Sequence, residues 1–139
     1  MSKIDTQRLY ALERLFPSEK NLALQHLQTI AAKIWDIEAT HNQEFPIITF
    51  SNPHYFSRAH RDFSFCMTDV DSPTVIVLAN GHHKVTVLIH ELTHALGYWQ
   101  HDMKFVKKYF SILDSWTVLK FDYLFLLACV VKLDVEKLK

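Results

Sequence analysis

The stretch between Asn80-Gly81 and Gly97 constrains this chain more than any other. Val85, Leu88, Ile89, Leu92, Ala95 and Leu96 recur there at three-to-four spacing, the period of a helix with a buried face, over about residues 84–96. Asn80-Gly81 is suited to turn the chain into this helix, and Gly97 to end it in a left-handed cap. Into its middle the sequence places His90-Glu91-Leu92-Thr93-His94. Polar side chains on a helix this apolar cost free energy unless something partners them, so their presence needs a reason.

Histidines four residues apart on a helix stand one turn apart on the same face and can grip one metal ion. Glu91 lies beside them, where a carboxylate can act as general base toward water activated by that metal, and zinc brings the pKa of such water to about 7. A catalytic zinc takes three protein ligands and keeps a position open, so a third ligand must come from elsewhere. His101 is preferred, because Gly97 lets the chain reverse and Asp102 can cap the next helix, leaving His101 at the junction. Asp114 competes, since a carboxylate completes a two-histidine site equally well. The long signature with a histidine three residues beyond the glycine is excluded, because Gln100 stands there.

Around this motif the chain predicts an α+β domain spanning residues 1–139. Residues 5–15 form a first helix, and Pro17-Ser18 separates it from a second that carries Leu24, Leu27, Ile30, Ala31, Ile34 and Trp35 as a core stripe. Short β-prone runs follow at 46–50, 63–67 and 74–79, divided by Ser-Asn-Pro, Asp-Ser-Pro and Asn-Gly, and read as a small three-stranded antiparallel sheet. After the motif helix, Phe105, Val106, Tyr109, Phe110 and Leu113 form the seam of another helix. A last helix is expected from near Ser115 through Leu124, Leu127, Val131 and beyond, fraying in the lysine-rich end.

Composition narrows the function classes. Fifteen basic residues balance fifteen acidic ones, which argues against an overall field for nucleic acid or a membrane surface. Cys66 and Cys129 are too few for a disulfide framework or a four-cysteine zinc ribbon, and they fit reduced thiols in a cytoplasmic protein. The first residues carry charge with no apolar stretch behind them, so a secretory signal is not expected. The apolar run 123–131 is far shorter than the roughly 20 residues that cross a bilayer.

Other polar residues have plainer readings. His82 and His83 could approach a metal or an oxyanion, but paired loop histidines are more often solvated. His54 and His60 lack ligand spacing, and Arg58 and Arg61 fit a solvated loop. Tyr98 and Tyr109 could each stabilise a tetrahedral intermediate, or simply pack. Lys104, Lys107 and Lys108 fit a solvated helix face.

The stretch Leu88-Ile-His-Glu-Leu-Thr-His-Ala-Leu-Gly97, followed by His101-Asp-Met-Lys-Phe105, resembles the compact gluzincin-type zinc metallopeptidases of the SprT and WLM type. Those place a third histidine after a short connection, commonly as His-Asp or His-Gly with a phenylalanine a few residues on. The opening Asp5-Thr-Gln-Arg-Leu-Tyr-Ala-Leu-Glu13 is similar to the start of small uncharacterised metallohydrolases from bacteria and phages. The resemblance covers most of the chain and is specific between Leu88 and Phe105.

The resemblance implies a zincin-like minimal domain, zinc on His90, His94 and His101, Glu91 as catalytic base, and Phe105 packed behind the third ligand. It further implies that strand 74–79 lies beside the motif helix and, as an edge, holds an extended peptide or protein substrate by backbone pairing. SprT-type repair proteases often carry extra zinc-binding or DNA-binding segments. This chain has no second cysteine-rich module and no basic tail, so DNA binding is not carried over. The expected reaction is attack of zinc-activated water on a peptide carbonyl. The alternatives are a non-catalytic module that zinc stabilises and a hydrolase of a non-peptide amide or ester.

Overall fold

The computed structural model describes residues 3–51, 64–69 and 72–138. They contain five α-helices, α1 (Lys3–Glu13), α2 (Leu24–Glu38), α3 (Val85–Ala95), α4 (Met103–Trp116) and α5 (Phe121–Val130), with strands β1 (Ile47–Phe50), β2 (Phe65–Asp69) and β3 (Ser72–Leu78) and a 3₁₀ turn at Val135–Leu138. The α+β class is therefore as expected. The chain divides into two compact units, residues 19–97 and residues 1–18 with 98–139.

In the unit of residues 19–97, Val75-Ile76-Val77-Leu78 is an unbroken apolar run, the pattern of a strand covered on both faces rather than one. It forms the second half of β3, and Ile76, Val77 and Leu78 are fully buried. The strand order is β1-β3-β2, with β1 parallel to β3 in the register Ile47↔Val75 to Phe50↔Leu78 and β2 antiparallel to it through Cys66↔Ile76.

This corrects two expectations. The sheet is mixed, not antiparallel: the short link from β2 to β3 forces those strands antiparallel, whereas the longer connection from β1 to β2 leaves β1 free to pair in parallel. Strand 74–79 is also no edge, because β3 spends its backbone groups on a neighbour at each side.

Helices α2 and α3 pack on one another and on the sheet, α2 against β1 and α3 against β2 and β3. Leu27, Ala31, Ile34 and Trp35 are the buried part of the α2 stripe. Gln28 donates its side-chain amide to the Ile48 carbonyl at 3.0 Å, fastening α2 to β1. Gly97 adopts φ +114°, where a side chain would be strained, and so ends α3 as expected. Gln43 donates to the Leu96 carbonyl at 2.7 Å, satisfying one acceptor that the end of the helix leaves over.

In the other unit, α4 buries Phe105, Val106, Tyr109, Phe110, Ile112 and Leu113 on one side. Asp102 caps it by accepting the Phe105 amide at 2.9 Å. Helix α1 contributes Leu9 and Leu12, both fully buried, and packs on α5. The last helix does not start near Ser115. Helix α4 continues to Trp116, and α5 begins at Phe121 after Thr117 turns the chain, its hydroxyl donating to the Leu113 carbonyl and accepting the Leu119 amide. It ends at Val130 rather than running on, with Lys132 at φ 65° leading to the 3₁₀ turn. No described helix is long and apolar enough to cross a membrane.

Candidate metal centre

Helix α3 is anchored before it carries any chemistry. Its N-cap, Lys84, offers no capping side chain, and the free Thr86 amide of the first turn is met from a distant segment instead. The Glu19 carboxylate accepts both the backbone amide and the hydroxyl of Thr86. Asn21 accepts the His83 amide at 3.0 Å, and the Leu22 amide donates to the His83 carbonyl at 2.8 Å. An acidic group at a helix N-terminus also meets the positive end of the helix dipole.

Thr86, His90, Glu91, Thr93 and His94 are the buried polar residues of this helix. Thr86 is bound by Glu19, and Thr93 returns its hydroxyl to the Ile89 carbonyl at 2.7 Å. The two histidine rings lie 5.1 Å apart between centroids at an angle of 66°, on one face as the four-residue spacing requires.

His101 precedes α4 and is half-buried between two aromatic rings. Tyr10 of α1 meets it edge-on at 5.4 Å and Phe105 at 5.1 Å. Phe105 is fully buried, the packing position expected of it, and meets Tyr109 in turn with the rings tilted at 44° and their centroids 5.6 Å apart. The Tyr109 hydroxyl donates to Glu13 at 2.8 Å, so that the sequence candidate for oxyanion stabilisation has a carboxylate partner within the fold.

His90, His94 and His101 each offer one ring nitrogen, and these three atoms lie within 4.8 Å of one another. Among the described residues this is the group of histidine, cysteine, aspartate and glutamate side chains that could hold a metal ion. Three imidazoles form a neutral nitrogen donor set of the kind that zinc accepts in three-histidine sites. Asp114 is not part of the group. Its carboxylate accepts the Phe121 amide at 2.9 Å, which makes it a cap for α5.

The remaining sequence candidates fall into other roles. His82 shares a 3.3 Å hydrogen bond between Nδ1 and the Ser64 hydroxyl, which itself accepts the Ala79 amide. His83 lies flat on Phe50, with ring centroids 3.5 Å apart. Burial holds both histidines below the usual imidazole range, helped by the Lys84 charge at His82 and by His82 at His83. Tyr98 is half-buried, and Lys104 and Lys107 are exposed on α4. His54, Arg58, His60 and Arg61 lie outside the described residues.

Sequence reasoning missed three participants. Glu19 and Tyr10 carry no local signal, because each acts through a contact across many residues of chain. Cys66 sits on β2, the strand packed on α3, and burial pushes its thiol up to about 12, with the Glu91 charge adding to the effect. A thiol that feels Glu91 lies in the surroundings of the motif, a proximity that residue spacing does not reveal. Comparison with protein-family models, curated proteins and solved structures finds no match for the chain.

Proposed function

We propose that the chain is a zinc-dependent hydrolase of the compact zincin type that cleaves a peptide bond, with His90, His94 and His101 as metal ligands and Glu91 as general base. The observation that carries this reading is the grouping of three imidazole donors with a buried glutamate next to one of them on the same helix. When bound, zinc supplies Lewis acidity, polarising a carbonyl and easing the loss of a proton from water. Three protein donors are the number a catalytic zinc takes, while a structural zinc takes four.

Glu91 is held by a rigid helix between the two ligands, so it takes a proton from the attacking water and returns it to the departing amine. The burial of His90, Glu91 and His94 limits access of bulk water to the reacting groups. Substrate capture falls to β2 in this reading. It packs on α3, its Cys66 feels the charge of Glu91, and it is an outer strand among the described residues. An extended peptide would pair with its backbone, the role that the resemblance assigned to strand 74–79.

Glu91→Gln keeps the size and polarity of the side chain and removes the base. Hydrolysis of a quenched-fluorescent peptide pool is expected to fall by about 10²–10⁴-fold, with zinc content and melting temperature unchanged. Equal turnover by wild type and Glu91→Gln would sink the mechanism. A zinc-stabilised binding module predicts no hydrolysis by either protein.

A further inference from the structure

The three imidazole donors are not held alike. His90 and His94 take their positions from α3, whereas His101 stands outside a helix, just before α4 begins at Met103. A side chain in a loop loses rotamer freedom when it coordinates, so a ligand there binds well only when its surroundings have already fixed its ring. Two aromatic rings meet His101, and both belong with it to the unit of residues 1–18 and 98–139. Phe105 of α4 crosses the imidazole plane at 80° with centroids 5.1 Å apart, and Tyr10 of α1 crosses it at 75° and 5.4 Å.

Phe105 is fixed from within α4, by its burial and by the Asp102 cap on its amide. Tyr10 arrives on a separate helix, which is seated by contacts of its own. Leu9 and Leu12 on either side of it are fully buried, and Glu13 accepts the Tyr109 hydroxyl at 2.8 Å. Tyr10 and Glu13 are three residues apart on α1, and Phe105 and Tyr109 four apart on α4, so each pair lies along one face of its helix. The two helices therefore meet at two levels one turn apart, Glu13 with Tyr109 and Tyr10 with the His101 ring beside Phe105. The first contact sets the register that delivers the second. Tyr10 itself is 42% exposed, too open for a core-filling role.

We propose, on the reading of the three histidines as zinc ligands, that Tyr10 is a positioning residue of the metal centre, whose ring holds the His101 imidazole in the orientation that offers its nitrogen alongside those of His90 and His94. The contact is ring to ring, so phenylalanine should serve in place of tyrosine and alanine should not.

The test is the zinc affinity of the intact chain, measured by competition with a fluorescent chelator, together with the visible spectrum of the cobalt(II)-loaded protein, whose bands report how the donors are arranged. Tyr10→Ala is expected to bind zinc about 10-fold or more weakly and to shift the cobalt bands, the size of effect that supporting residues have on a metal site. Tyr10→Phe is expected to match the wild type in both, and all three proteins should share one circular dichroism spectrum.

Tyr10→Ala binding zinc as tightly as the wild type, while His101→Ala binds it weakly, would overturn the positioning role alone. So would a Tyr10→Phe protein as weak as Tyr10→Ala, which would assign the effect to the hydroxyl. A wild type that takes up no zinc, or a His101→Ala protein that binds it undiminished, would overturn the zinc site and this role with it.

Discussion

Helices α3 and α5 are of nearly equal length and α5 is the richer in apolar residues, yet α3 is the one that is buried. Helix α3 buries eight of its eleven residues, among them two histidines, a glutamate and two threonines, while α5 buries two and leaves Leu126 and Val130 to solvent. Hydropathy alone would rank α5 as the better core helix. The difference teaches that hydropathy alone does not decide burial, since polar residues stand inside α3 and apolar ones outside α5.

The largest effect expected from this contrast is on stability. Leu92→Ala, at a fully buried site in α3, should cost about 2–5 kcal/mol, whereas Leu126→Ala in α5 should stay within about 0.5 kcal/mol. Urea unfolding measures both, and equal losses would break the comparison. A smaller effect is expected at the anchor of α3. Glu19→Ala removes the acceptor for the Thr86 amide and hydroxyl and should cost about 0.5–2 kcal/mol. Hydrogen exchange should show reduced protection in the first turn of α3 and none in α5.

The two cysteines sharpen the contrast further. Cys129, exposed on α5, should react with iodoacetamide at pH 8 well ahead of Cys66, and peptide mapping by mass spectrometry distinguishes them. With its folded pKa near 12 against 9.0 for the free thiol, Cys66 keeps its proton in the fold while the unfolded chain loses it. Its contribution to stability is therefore complete below about pH 9 and lost as pH rises from there toward 12. Cys66→Ser should flatten that alkaline decline, and a Cys129→Ser variant should not.

The smallest effect is expected on the acid side. His82 and His83 are both held below the usual imidazole range, so the unfolded chain takes up protons more readily than the fold. Their contribution is present above about pH 6.5 and falls as the solution is acidified below it, a decline that His83→Asn should reduce.

Local features of the sequence proved readable because local physics produces them. The three-to-four spacing of Leu88, Ile89 and Leu92 makes α3, Gly97 ends it, Asp102 caps α4, and the β-prone runs become strands within a few residues of their expected bounds. What failed depends on partners remote in sequence. The parallel pairing of Ile47 with Val75 follows from connection length and strand order, and alternation within a strand does not encode either. The late start of α5 follows from Thr117 and Asp114 taking up the free backbone groups of a turn that has no glycine or proline to announce it.

The centre divides in the same way. His90, Glu91 and His94 are legible because one helix carries them. The preference for His101 over Asp114 followed from the glycine and the cap around it, and the two residues separate structurally: His101 joins the imidazole group, and Asp114 caps α5. The aromatic walls of His101 could be read only in part, Phe105 from its place near the histidine and Tyr10 not at all, since it arrives on α1.

The most direct test of the account is metal content, measured by inductively coupled plasma mass spectrometry on protein purified without a histidine tag, for wild type, His101→Ala and Asp114→Ala. The account predicts about one zinc per chain in the wild type, a weakened site in His101→Ala and full occupancy in Asp114→Ala. No retained metal after zinc loading, or loss of zinc in Asp114→Ala with His101→Ala unaffected, would contradict it.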